Sequence, residues 1–222
     1  MKQDYPVFFK RYLELHALFH TPHFIDLTYG LLRLFWSRGL LDDTLELDIP
    51  FIAFAAGLHD LGRSVLAPSI ANPTGALTPA EQQVFETHTV LGAAILSAIE
   101  LPHFTDSRIY QYGWEICLQH HERWDGRGYP QHLKGDKIAP YIQVVSLADV
   151  YDEMRAPHPG CGSFSHKKAL EMISSGRRGA FSPQMLDCFL SVMNEENAAF
   201  FYSQKPASQS NCETSSVEEP TS

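Results

Sequence analysis

Two adjacent histidines, His120-His121, close an apolar segment and run straight into Glu122-Arg123-Trp124-Asp125-Gly126-Arg127-Gly128-Tyr129-Pro130. Imidazole is a borderline-soft nitrogen donor, neutral near pH 7, that suits zinc, iron, copper and nickel. The Asp-Gly and Gly-Tyr-Pro punctuation marks a turn, which sets the pair at a helix end. A second pair, His59-Asp60, follows the apolar run Phe54-Ala55-Ala56-Gly57-Leu58. A carboxylate there is costly unless it is paired or metal-bound. Asp149 poses the same problem after Val144-Val145-Ser146-Leu147-Ala148. With His23 and His88 the set holds five of the eleven histidines and two aspartates.

Apart from the adjacent pairs, these residues recur about every 30 positions. Separate helices of a bundle can therefore bring one side chain each to a shared interior point, as di-metal bundles do. Asp60 offers two oxygens and can bridge two cations. Two metals roughly 3.5–4 Å apart acidify a shared water and clamp both oxygens of a phosphoryl displacement. The mixed nitrogen and oxygen donors suit iron, manganese, nickel, cobalt or zinc better than calcium. Taken singly, His23 reads equally well as a helix-start residue, and His88 as a polar residue on an amphipathic segment. The set, not its members, points to metal-assisted hydrolysis. His16, His20, His103, His132, His158 and His166 read as surface, capping or loop residues.

The elements that must position this set are helical. Apolar residues recur at three- and four-residue spacing over Tyr5 to Phe19 and again over His23 to Trp36, where Gly39 supplies a stop. Pro50 starts a helix expected to run through Phe54 to Asp60. Thr78-Pro79-Ala80-Glu81 fits a capping box. Further helices are expected through His88 to Ile99, Tyr110 to His121, Tyr141 to Met154, Ser165 to Ile173, and from Ser182-Pro183 to near Asn197. No alternating strand pair and no internal repeat is visible. From about Ser203 the chain turns to Ser, Gln, Glu, Thr and Pro, which reads as a disordered tail over 203–222.

At 222 residues, with 44% hydrophobic and 19% charged residues, one sizeable core is affordable. A net charge of −9 excludes a general binder of polymeric nucleic acid, which needs clustered Lys and Arg. Cys117, Cys161, Cys188 and Cys212 form no C-x-x-C pair and read as free thiols. No leader segment is read, and the apolar run Ile49 to Leu58 is too short to span a bilayer, so a cytoplasmic protein without membrane contact is expected.

The order His23, His59-Asp60-Leu61-Gly62, His88, His120-His121-Glu122, Asp125-Gly126, Gly128-Tyr129-Pro130 and Asp149 resembles the HD-GYP family. That family is a branch of the HD-domain phosphohydrolases, many of which hydrolyse the bacterial second messenger cyclic di-GMP. The resemblance runs from about His23 to Glu195 and includes Gly75 to Glu81 and Phe164 to Leu170. It implies an all-α HD-domain helical bundle with a buried di-metal site over residues 21–202, preceded by an N-terminal helix over 1–20. His23, His59, Asp60, His88, His120, His121 and Asp149 then match the metal ligands, with Asp60 bridging two divalent ions, iron or manganese foremost. Asp60 and Arg63 fall at catalytic positions, Arg63, Asp125 and Tyr129 at substrate contacts, and Arg155 lies close enough to serve as a further contact. The loop Gly128-Tyr129-Pro130 borders the site and offers a surface to a protein partner. The implied reaction is attack of a metal-bridging hydroxide that opens a cyclic dinucleotide to a linear one.

Three positions depart from the family pattern. Arg63 stands where lysine is usual; it keeps the charge but gives up no proton at neutral pH. Phe19 stands where some members carry a glutamate for a third metal. His158-Pro159-Gly160-Cys161 replaces an Arg-Pro-Tyr-Arg segment whose arginines help hold substrate, with Arg155 the nearest substitute. These departures leave two alternatives open: an HD phosphohydrolase for another nucleotide, and a low-activity docking module.

Overall fold

The computed structural model describes residues 21–41, 43–73, 75–99, 107–156, 162–194 and 197. The expected N-terminal helix, the expected tail, Phe19 and the segment 158–161 lie outside them.

Nine α-helices follow one another among the described residues: α1 Thr21–Trp36, α2 Ile49–Ala56, α3 Pro68–Ala71, α4 Pro79–Glu86, α5 His88–Ser97, α6 Arg108–Gln119, α7 Pro140–Arg155, α8 His166–Ser174 and α9 Pro183–Val192. Short 3-10 turns fill Glu46–Asp48, Leu61–Val65 and Gly135–Lys137. Apart from isolated bridge residues at Gly162 and Ser163, the described residues contain no strand, so the all-α reading holds.

Local chemistry explains most boundaries. Thr78 Oγ1 accepts from the Glu81 amide at 3.3 Å while Glu81 Oε2 accepts from the Thr78 amide at 2.9 Å, so the expected capping box forms. Ser107 and Ser165 cap α6 and α8 by accepting from the Tyr110 and Lys168 amides. The Ser107 cap starts α6 two residues before the expected Tyr110. The last helix stops at Val192, short of the expected Asn197. There the Asn197 side chain donates to the Val192 carbonyl at 2.6 Å and Asn194 Oδ1 accepts from the Asn197 amide at 2.8 Å. These short amides offer the backbone local partners that compete with continued winding.

α1 buries Phe24, Leu27, Leu31, Leu32 and Phe35 against α2 and α7. The main apolar core joins these helices to α8 and α9, through residues such as Tyr151, Ile173 and Phe189. A smaller cluster of Leu58, Leu61, Ala93, Leu96, Ile99, Cys117 and Leu118 lies under the turn after α2, between α5 and α6. α7 is buried along most of its length, so its polar residues must find partners inside the protein.

One close approach decides how these parts meet. A Cβ on Gly62 would stand 1.9 Å from the His88 carbonyl oxygen, so only glycine lets the turn after α2 lie against the first turn of α5. A Gly62→Ala substitution is expected to destabilise the protein by about 3 kcal/mol or more, because backbone has to move. At Gly75 an added Cβ meets nothing within 4 Å, and Gly75→Ala should stay within about 0.5 kcal/mol. Urea unfolding of the two variants tests this, and equal midpoints would refute the close approach.

Candidate metal centre

The expected ligands come from five places in the fold. His23 lies in α1, His88 opens α5, His120 closes α6 with His121 after it, and Asp149 lies in α7. His59 and Asp60 were expected inside a helix, but α2 ends at Ala56. The amides of Leu58, His59 and Leu61 bond to the carbonyls of Ala55, Ala56 and Leu58, three residues back, which winds the chain more tightly than an α-helix. Apolar spacing does not distinguish the two windings. Cys117 Sγ secures this turn on the Leu58 carbonyl at 3.1 Å, and Ser146 Oγ secures the end of α6 on the His120 carbonyl at 2.6 Å.

Asp60 is the point of convergence. Its Oδ1 lies 3.4 Å from His88 Nε2 and 3.9 Å from His120 Nε2, while its Oδ2 lies 3.5 Å from His59 Nε2. His59 Nε2 is also 3.3 Å from Asp149 Oδ1. Ligand atoms of Asp60, His88, His120 and His121 all fall within 4.8 Å of one another. His23 Nε2 lies 3.4 Å from Asp152 Oδ1.

The donor set fits a divalent cation on its own chemistry. The Nδ1 atoms of His59, His88 and His120 lie 2.8, 2.7 and 2.9 Å from the carbonyls of Ala56, Phe85 and Ile116. A carbonyl only accepts, so each Nδ1 carries the hydrogen and a neutral ring presents the lone pair of Nε2. The Nε2 atoms of His88 and His120 face one another at 3.3 Å. Two lone pairs at that distance repel unless positive charge lies beside them. Burial, partly offset by Asp60, lowers the pKa of His88, and burial with His59 and His88 pushes His120 down to about 4. Burial with His120 and His88 holds His121 well below the usual range. These rings stay neutral, as metal ligands must be. Burial also opposes charge on His59, yet Asp60 and Asp149 outweigh it and lift that ring to about 9. The space among His59, Asp60 and Asp149 therefore calls for positive charge, as a proton or as a metal ion.

A cavity of about 120 Å³ opens beside this cluster, lined by His59, Asp60, Arg63, His121, Asp149 and Glu153, with Phe24 and Phe85 as apolar walls. Arg63 donates to Asp60 Oδ2 at 2.6 Å, to the Ala71 carbonyl at 3.1 and 2.5 Å, and to Asn72 Oδ1 at 3.3 Å. Four of its five N–H groups are thus engaged, which leaves one for a ligand. Arg155 donates to the Phe164 carbonyl at 2.8 Å and is absent from the cavity lining. Asp125 forms a two-point ion pair with Arg123 that lowers its pKa to about 2, and it accepts from the Arg127 amide. Tyr129 lies against His121, ring centroids 4.8 Å apart.

Sequence reasoning passed over three acids of the site. Asp152 and Glu153 share a face of α7 with Asp149 at helical spacing, and that spacing was the available signal. Burial, then Asp149 and Asp60, raises the pKa of Glu153 against the opposing charge of Arg178. Glu122 is buried, and its two oxygens accept from the amides of Gln131 at 2.7 Å and Leu133 at 2.8 Å. It holds the loop carrying Tyr129, a role that its place in the His120-His121-Glu122 motif does not by itself reveal.

Residues 20–185 match the HD domain family. The chain belongs to that family. A cyclic di-GMP phosphodiesterase from Thermotoga maritima is 35% identical over 166 residues, covering 73% of this chain and 44% of that protein. The HD-domain chain thus spans less than half the length of that curated relative. Among solved structures, an HDG"Y"P protein from Bdellovibrio bacteriovorus superposes with a TM-score of 0.56 at 18% identity, over 77% of this chain and 51% of that one. A cyclic GMP-AMP specific phosphodiesterase from Vibrio cholerae gives a TM-score of 0.52 at 18% identity, over 81% and 45%. Both likenesses show the helical fold. Among the described residues, no helix of the HD domain is long and apolar enough to cross a membrane.

If Asp60 is the common ligand, Asp60→Ala should weaken manganese binding by more than roughly 100-fold, since even outer partners of a metal cost about 10–100-fold. Equilibrium dialysis with elemental analysis measures this. Wild-type manganese content in a folded Asp60→Ala protein would remove Asp60 from the centre.

Proposed function

We propose that this HD domain is a two-metal phosphodiesterase that opens a cyclic dinucleotide, cyclic di-GMP foremost, to the linear form. One observation carries the reading: the two oxygens of Asp60 face different histidines, Oδ1 towards His88 and His120 and Oδ2 towards His59. One carboxylate would thereby serve two neighbouring cations. His23, His59, Asp60 and Asp149 would hold one ion, and Asp60, His88, His120 and His121 the other. Iron(II) or manganese(II) suits this mixed donor set. When bound, such a pair acidifies water and neutralises charge on a phosphodiester.

The protein's own groups do the remainder. The backbone carbonyls of Ala56, Phe85 and Ile116 fix the ring tautomers, so the ligand atoms need no rearrangement on binding. Phe24 and Phe85 exclude water from one side of the cavity, which strengthens electrostatic contacts inside it. Arg63, 5.4 Å over the Phe85 ring and clamped to Ala71, presents a fixed positive charge beside Asp60. Arginine stays protonated, so it stabilises charge and donates no proton to the leaving oxygen. Water, or the Glu153 carboxyl that lines the cavity, then has to supply that proton. Tyr129, packed on His121, sets its loop beside the centre and leaves Pro130 half-buried. That placement supports a role for the loop in lining the site ahead of one in docking a protein partner. The Thermotoga relative's name, a cyclic di-GMP phosphodiesterase, supports the choice of substrate.

Purified protein loaded anaerobically with Fe(II) or Mn(II) should convert cyclic di-GMP to the linear dinucleotide, with about two ions bound per chain. Product chromatography and metal analysis read both quantities, and 3′3′-cyclic GMP-AMP belongs in the same panel. Chelation should abolish turnover. Product from cyclic GMP-AMP alone would change the substrate, and two bound ions with no product from either would overturn the activity.

A further inference from the structure

A second pocket, of about 300 Å³, lies alongside the first, and His121 lines both. Its wall carries Tyr129 and the arginines Arg123, Arg127 and Arg178. Arg178 comes from the loop between α8 and α9, which sequence reasoning left without a role. That loop turns at Gly176, at φ 72°, and Ala180 within it accepts a hydrogen bond from the Trp124 amide at 2.8 Å. The tie brings Arg178 to the loop carrying Tyr129, 49 residues earlier in the chain.

The charges in this pocket are unequal in their availability. Arg123 is occupied by Asp125, at 3.1 and 2.9 Å. Arg127 and Arg178 are exposed and form no ion pair among the described residues. Two acids share the lining. Glu122 spends both oxygens on backbone amides, and Glu86 accepts from Gln82 Nε2 at 3.1 Å. The pocket therefore holds two guanidinium groups with free donors and an aromatic wall, next to the cation centre. Guanidinium is the side chain best shaped to grip a phosphate oxygen pair.

Resting on the phosphodiesterase reading above, we propose that this pocket is an anion subsite for the second, non-reacting phosphate of a cyclic dinucleotide, gripped by Arg178 with Arg127. A cyclic dinucleotide carries two phosphodiester anions on one ring. While one sits in the cavity beside Asp60, the other needs cationic partners a short distance away, and the arrangement about His121 supplies them. The subsite selects substrates with two phosphates over simple phosphodiesters. It also places the substrate grip on the loop after α8, so no arginine is required from the segment between α7 and α8.

The test uses the whole 222-residue chain loaded with manganese, wild type against Arg178→Ala and Arg178→Lys, with folding checked by circular dichroism. Steady-state kinetics on cyclic di-GMP and on bis(p-nitrophenyl) phosphate, a one-phosphate diester, is combined with calorimetric binding of cyclic di-GMP. For Arg178→Ala, KM for cyclic di-GMP should rise roughly tenfold or more, the scale of one lost charge-assisted contact. The kcat/KM ratio of cyclic di-GMP to bis(p-nitrophenyl) phosphate should fall by a similar factor, and Arg178→Lys should restore most of both. An unchanged KM, or equal losses on the two substrates, overturns the subsite and leaves the phosphodiesterase reading standing. Wild-type binding without turnover, with affinity dependent on Arg178, supports the subsite and sinks the phosphodiesterase. Neither binding nor turnover by wild type overturns both.

Discussion

The Asp60 carboxylate is the constraint around which the fold is arranged. It sits among three imidazoles and one guanidinium, drawn from the turn after α2 and the ends of α5 and α6. Burial alone would favour its protonated form, but Arg63 and His59 hold its pKa well below the usual carboxylate range. Charge in such a place persists only with several partners of fixed geometry. The close approach at Gly62, the Cys117 bond to Leu58 and the Ser146 bond to the end of α6 all serve that geometry. They set the backbone from which the partners project.

Arg63 shows how a substitution changes a site without emptying it. A lysine has one nitrogen and cannot reach both Asp60 and the Ala71 carbonyl in the same fork. Arginine does reach both, and so ties the 3-10 turn after Asp60 to the end of α3. Its charge becomes part of the frame. What it loses is reach: with most donors spent on the protein, little of the guanidinium remains to follow a substrate.

Much of this was legible in the sequence because the relevant signals are local. Histidine and aspartate types, their spacing, the Thr78 capping box and the prolines at helix starts all act within a few residues. The all-α fold and the gathering of Asp60, His88, His120 and His121 follow from them. Other features depend on what lies opposite in space. The winding at His59 depends on packing against α5, which apolar periodicity does not encode. Arg155 was a reasonable substrate contact by position, yet its helix aims it at the Phe164 carbonyl. Glu122, Asp152 and Arg178 acquire their meaning only from partners elsewhere in the chain or on the next helical turn.

Glu122 has a consequence for how ligands come and go. Its buried carboxylate accepts from the Gln131 and Leu133 amides, Tyr129 donates its own amide to the His121 carbonyl, and Trp124 bonds to Ala180. Swinging this loop outward would strand a buried charge, a loss of roughly 1.5–3 kcal/mol for each charge-assisted bond. The loop is a fixed wall, not a hinged cover. Among the described residues, this loop therefore adds no conformational gate to ligand entry and exit. The ordering normally required when a flexible loop meets its ligand has already been met during folding. What this loop contributes to residence time is then the strength of its contacts, not the rate of its own opening.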